Sequence, residues 1–301
     1  MKSVRMTILA SAALVLQACA EPGDTESPAA ASPAADETTR AERPGFDTER
    51  PPVEAIAKAV DGEHRTAEAR ARDEYRHPAE TLDFFGIEED MTVVELWPGA
   101  GWYTEILAPL LRERGKLVVA SFGEGAEPEY RAGLHAGLME KFASNPDLYD
   151  RVEVVILAPP DAVQLGEPES ADLVLTFRNT HNWIEAGVEE EVYRAAYEVL
   201  KPGGVFGVVQ HRGKPGQDAA DSAPRGYVPE QHVIDLAGQV GFELAASSEI
   251  NANPKDTKDY EEGVWTLPPA YRLKDQDRER YAEIGESDRM TLRFVKPRAA
   301  P

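Results

Sequence analysis

Short apolar runs recur along this chain, separated by segments in which apolar residues return every three or four positions. Val93 and Val94 lead into Glu95 as the first of them; Pro98, Gly99, Ala100 and Gly101 then read as a turn, and a helical period starts at Tyr103. The runs at 116–122 (KLVVASF) and 171–177 (ADLVLTF) are apolar throughout, which is the pattern of strands buried on both faces. Further strands are predicted at 152–157 (VEVVIL), 205–210 and 242–250, and 290–296 (MTLRFVK) alternates as a last one. Helices are predicted between them: two across 54–87, the second starting at His77 and Pro78, one ending near Arg114 before Gly115, and others at 130–143, 188–200 and 229–240. Strand and helix in alternation give a doubly wound α/β domain. The stretch at 251–288 breaks the alternation; it is long, polar and carries Trp265, Pro268, Pro269 and Tyr271. A loop of that length reads either as a substrate-side cover or as a satellite aromatic cluster.

The first fifty residues follow a different rule. Lys2 and Arg5 precede an apolar run, 8–16, too short to span a bilayer, so 1–18 reads as an export signal. It ends in Leu16, Gln17, Ala18, Cys19, which resembles the lipobox of bacterial lipoproteins and implies lipidation of Cys19, the sole cysteine. Residues 19–52 are rich in Ala, Pro, Glu, Thr and Ser, with too little apolar surface to fold, and form a tether. The expectation is one domain, 53–301, held on the outer side of a membrane through lipid alone. Asp and Glu number 54 against 32 Lys and Arg, a net charge of −22, with no dense basic run, which argues against nucleic acid as a partner. No HExxH, CxxC, Walker or GxSxG pattern appears, so the residues propose no metal, redox or serine-nucleophile site.

The chemistry concentrates on the first turn. Strand, glycine turn and helix start in succession let a ligand approach the backbone and offer it unpaired N–H groups. A dinucleotide fingerprint needs a third glycine three residues after Gly101, where Thr104 stands. Glu95, Gly99 and Gly101 instead resemble the first motif of class I S-adenosylmethionine-dependent methyltransferases, with Trp97 in the place of the usual first glycine. VLKPGG at 199–204, before a strand, is a second point of similarity to that family. The resemblance implies a Rossmann-like, seven-stranded sheet with the last strand antiparallel, S-adenosylmethionine as cofactor and a small-molecule methyl acceptor.

Applied residue by residue, the resemblance implies a cofactor cradle at Glu95, Trp97, Gly99, Gly101 and Tyr103, with the rings of Trp97, Trp102 and Tyr103 either facing the sulfonium or filling the core. Ser121 holds the place of the family's ribose-binding acid, with Glu124 the nearest carboxylate; Asp161 stands where an acid accepts from the adenine amino group, or else caps a helix. After the run at 171–177 come Arg178, Asn179, Thr180, His181, Asn182 and Trp183, a dense polar group that a doubly wound sheet aims into the ligand crevice. Asn179 is read there as a cofactor contact or a helix cap, and His181 as a candidate base; His211, after the run at 205–210, is the second candidate, and His77 is read as structural. The competing function is a lipoprotein that captures a nucleoside-type small molecule on this scaffold without catalysis, favoured by Trp97, Ser121 and the exported address.

Overall fold

The computed structural model describes residues 54–298. The expected export signal, Cys19 and the expected tether lie outside the described residues.

α1 (Glu54–Val60), α2 (Ala67–Arg70), α3 (Asp73–Arg76) and α4 (Pro78–Phe85) come before the first strand. Two helices are thus divided into four. The last break falls at His77, which takes a left-handed φ of 40° between α3 and α4, and Pro78 then starts α4 where its missing N–H is harmless. β1 (Thr92–Leu96), α5 (Thr104–Leu111), β2 (Lys116–Ser121), α6 (Glu129–Ser144), α7 (Pro146–Tyr149) and β3 (Glu153–Ile156) follow. β4 (Ala171–Phe177) leads into α8 (Thr180–Ala186), α9 (Glu189–Val199) and β5 (Leu200–His211). The chain closes with α10 (Ala219–Ser222), α11 (Glu230–Val240), β6 (Glu243–Ser248), α12 (Arg278–Ile284) and β7 (Arg289–Val295).

The strands form one seven-stranded sheet in the order β3-β2-β1-β4-β5-β7-β6, parallel except for β7, which runs antiparallel to both neighbours. This is the Rossmann-like architecture of class I methyltransferases. Alternate side chains feed two core layers: Val94, Leu96, Val174 and Phe206 pack with Trp183, Val192 and Leu236 on one face, while Val93, Leu173 and Leu175 pack with Ile56, Leu82 and Leu107 on the other. The pairing of β4 with β5 jumps from Ala171↔Leu200 to Leu173↔Val205, so Lys201, Pro202, Gly203 and Gly204 bulge out of the ladder. Strand order reverses between β1 and β4, which places the ligand crevice over their carboxyl ends.

Candidate functional site

The turn after β1 is left-handed at three alternate residues, Trp97 (φ 44°), Gly99 (φ 62°) and Gly101 (φ 80°). The backbone therefore keeps a glycine-like shape at Trp97, where a side chain with a Cβ is strained by about 1–2 kcal/mol. The two glycines serve different ends. A Cβ on Gly101 would lie 2.8 Å from Leu138 Cδ1, so this glycine lets α6 pack onto the turn. A Cβ on Gly99 would meet nothing within 4 Å. Glu95 points away from the crevice, into the start of α5: Thr104 Oγ1 donates to its Oε2 at 2.6 Å, and burial raises its carboxyl to about 7 despite that bond. Thr104, which breaks the dinucleotide pattern, is the partner of Glu95.

The Trp97 ring explains why the strain is tolerated. Its Nε1–H donates to the Leu157 carbonyl at 2.8 Å, and it packs on Phe122 (centroids 4.6 Å) and Trp183 (5.5 Å), with the Arg131 guanidinium 4.8 Å over its face. Phe122 follows β2, Leu157 follows β3 and Trp183 lies on α8, so the indole fills the space between the ends of three strands and a helix. Ser121, beside it, is buried and bonded to His135 Nδ1 at 3.0 Å. Glu124 and Asp161 are exposed in loops, and no helix follows Asp161 for it to cap before β4 begins. Trp102 and Tyr103 turn toward the N-terminal helices: Trp102 donates to the Ala69 carbonyl beneath Arg65 and Arg76, and Tyr103 stacks on Phe177 at 3.5 Å.

The open part of the crevice is a cavity of about 450 Å³ over the ends of β1, β4 and β5. Of the residues named from the sequence, Trp97, Gly99, Asn179, His181 and His211 line it; Glu95, Gly101, Tyr103, Ser121 and Asp161 do not. The lining also includes Arg178 and Asn182 from the polar group after β4, and Trp265 and Arg272 from the excursion at 251–288; the rest of the excursion packs as a satellite cluster of Tyr260, Leu267 and Tyr281, so both readings of that segment are present. Asn179 stands at the N-cap position of α8, but its side chain makes no capping bond. Its Nδ2 donates to the carbonyls of Leu96 (3.0 Å) and Trp97 (3.2 Å) and ties the end of β4 to the turn.

His181 is buried and His211 half-buried, and both are uncharged at neutral pH. Burial lowers His181 to about 4, and His211 is driven well down by burial, by His181 and by the nearby arginines. Gln210 Nε2 donates to the Gly226 carbonyl (2.9 Å), which fixes the amide and directs the same nitrogen toward His181 Nδ1 (3.3 Å). His181 Nδ1 then accepts, and its proton sits on Nε2. His211 Nδ1 shares a hydrogen bond with Ser287 Oγ.

Behind the cavity lies a knot of charge that local patterns do not reveal. Glu286 is buried and paired with Arg72 (2.6 Å), Arg76 (3.2 Å) and Arg289 (3.1 Å). Burial alone would raise its carboxyl; the arginines, Arg178 included, outweigh that and hold it near 2. Arg178 has a left-handed φ of 65°, pinned by its N–H bond to the Val209 carbonyl at 2.6 Å. The clue available in sequence was its place at the head of the polar group after β4.

No protein-family model matches the chain, and no curated protein does. Among solved structures, the chain is similar to an S-adenosylmethionine-dependent methyltransferase from Aquifex aeolicus, at 16% identity and a TM-score of 0.50 over 84% of this chain and 100% of that one. It is also similar to the [4+2]-cyclase SpnF, at 14% identity and a TM-score of 0.52 over 80% of this chain and 85% of that one. These likenesses concern the fold, and the second carries a different reaction in its name. The open side of Gly99, the Asn179-braced turn and the cavity leave room for a ligand of the S-adenosylmethionine kind to lie against the backbone. At the nucleoside end the Trp97 indole stands in the crevice, and neither Ser121 nor Asp161 reaches the cavity.

Proposed function

We propose that this protein is an S-adenosylmethionine-dependent methyltransferase whose cofactor and small-molecule acceptor meet over Gly99. The observation that carries the reading is the open side of that glycine, which faces a cavity walled on its far side by two uncharged histidines. The bound cofactor would supply a methyl group on a sulfonium. The chain's part is mostly positioning: the left-handed turn lets a ligand come up to the backbone, and Asn179 holds the turn against β4. His181, protonated on Nε2, serves as a donor that orients the acceptor. His211, in the tautomer that donates Nδ1–H to Ser287 Oγ, keeps a lone pair on Nε2 to take the acceptor's proton. Trp265 and Arg272 cover the site from the excursion.

Calorimetry and thermal unfolding of the full chain with S-adenosylmethionine or its demethylated product test the reading. Binding that raises the melting temperature supports it, and the absence of any response at millimolar ligand ends it. His211→Ala should leave that binding intact and lower turnover by roughly 10²- to 10⁴-fold. A second reading, capture of a nucleoside-type small molecule without methyl transfer, keeps the open cavity but loses its nucleoside end to the Trp97 ring. It is distinguished by incubating extracts with methyl-labelled cofactor, which yields labelled product only under the first reading. The address belongs to the same proposal: export, and anchoring by a lipid on Cys19, are tested by fractionating the Cys19→Ser protein, which should leave the membrane.

A further inference from the structure

The cavity is cationic in an acidic protein. The chain carries a net charge of −22, yet no Asp or Glu is among the residues lining the cavity, which include Arg178 and Arg272. Arg272 stands at the exposed rim, stacks on Trp265 at 4.5 Å and has a carboxylate of its own, Glu262, at 3.5 Å. Arg178 differs. It is half-buried at the end of β4, and among the described residues its guanidinium makes no hydrogen bond or ion pair. The carboxylate whose field reaches it, Glu286, already holds Arg72, Arg76 and Arg289 at 2.6–3.2 Å, so four guanidinium groups share one acid. Arg76 even keeps a buried Nη1 without a partner.

An arginine withdrawn from water needs an anion, and a guanidinium fork presents two parallel N–H groups that match a carboxylate or phosphate. We propose that the cavity binds a small molecule with an oxyanion, carboxylate or phosphate, which Arg178 takes as its ion-pair partner while an apolar body lies against Trp265 and Phe177. His181 Nε2–H and the Asn182 amide are the neutral donors at hand for the remaining oxygen lone pairs. The left-handed backbone of Arg178 fits this role, since strain of that kind persists where surrounding structure fixes a side chain at a site. The inference shares its cavity with the proposed methyl-transfer site, and it holds whether or not a methyl group is transferred.

The test uses the full chain without S-adenosylmethionine. Benzoate and phenyl phosphate are titrated by calorimetry, with benzamide as the uncharged counterpart of benzoate. At least one oxyanion should bind and benzamide should bind roughly tenfold more weakly or not at all. Arg178→Gln should abolish the preference for the charged probe, Arg178→Lys should restore part of it, and Arg272→Gln should change it less than Arg178→Gln does. The comparison of benzoate with benzamide on the unaltered protein needs no variant, so a folding defect in Arg178→Gln leaves the test standing. Equal binding of benzoate and benzamide, no response to either oxyanion at millimolar concentration, or an unchanged preference in a folded Arg178→Gln protein would overturn the assignment. A protein that binds S-adenosylmethionine but no oxyanion keeps the methyltransferase reading and loses this one.

Discussion

Over the ends of β1, β2 and β3 the crevice is filled by the chain's own side chains, whereas over β1, β4 and β5 it stays open. The filled half is aromatic and closed by hydrogen bonds: Trp97 on Phe122 and Trp183, its N–H on Leu157, and Ser121 on His135. The open half is lined by arginine, histidine and asparagine. Two buried glutamates beside these halves show the same contrast in charge. Glu95, next to the filled half, has a threonine for a partner and is raised to about 7; Glu286, behind the open half, has three arginines and is held near 2. A carboxyl of one kind is thus pushed in opposite directions by its neighbours, and Arg76, Arg178 and Arg289 gather around the acid behind the side that can take a ligand.

The strongest way to break this contrast is to remove Glu286. Glu286→Gln leaves the buried guanidinium groups of Arg76 and Arg289, and the partly exposed one of Arg72, facing an amide and should lower stability by about 3–5 kcal/mol, read as a shift in urea midpoint. The pH dependence has a definite sign. A carboxyl lowered from 4.5 to about 2 on folding stabilises fully above 4.5 and loses its contribution as pH falls toward 2. The gap between the unaltered protein and Glu286→Gln should therefore close in that window. A gap that is constant from neutral pH down to 2 would contradict the ion-paired state of Glu286.

Glu95→Gln tests the other carboxyl and should act with the opposite sign. A group raised from 4.5 to about 7 makes folding less favourable as pH climbs through that interval, by at most about 3 kcal/mol for its full shift. The amide oxygen of Gln can still accept from Thr104, so the variant should be no less stable at pH 4 and should gain on the unaltered protein between 4.5 and 7. Melting temperatures over that range decide it, and parallel curves would show that Glu95 does not titrate there.

Trp97→Gly would turn the filled half into an open one. Truncating a buried Trp loses about 3–5 kcal/mol of packing, and release of the left-handed strain returns about 1–2, so a net loss of about 2 kcal/mol is expected. The same change frees the crevice beside Phe122 and Leu157, and affinity for S-adenosylmethionine's demethylated product should rise. If affinity falls instead, the indole is a contact for the ligand.

The filled and open halves were not equally legible in the sequence. Strands buried on both faces announce themselves as apolar runs, so β2 and β4 stand close to or at the predicted bounds, and the glycine turn and the crevice at the reversal of strand order follow from them. What pattern could not supply was direction. Glu95 and Gly101 sit in the motif, but their side of the backbone faces α5 and α6, and only the fold decides which face a turn residue presents. Periodicity also hid α8, since Thr180, His181 and Asn182 read as loop while Trp183 and Ile184 carry its buried face. The excursion at 251–288 is held by buried polar groups such as Asn251, Asp256 and Glu286, which have no period at all. The Arg72–Glu286 pair joins positions 214 residues apart, beyond the reach of any local pattern.

The smallest change acts on the open half alone. Gly99→Ala places a methyl where nothing lies within 4 Å, so no packing is disturbed, and the one penalty is that of an alanine at a φ of 62°, about 1 kcal/mol. Gly101→Ala has a similar dihedral penalty, but its methyl would press on Leu138 at 2.8 Å, so its loss of stability should be the larger of the two. Ligand affinity should rank the two positions the other way. The Gly99 methyl projects from a residue that lines the cavity, where the proposed cofactor would approach the backbone, whereas Gly101 is not in the lining. Measured together, melting temperature and affinity for the demethylated cofactor should cross between the variants, with Gly101→Ala the less stable and Gly99→Ala the weaker binder. If Gly101→Ala loses more of both, the ligand lies against the α6 side of the turn, and the open half is not where the cofactor is held.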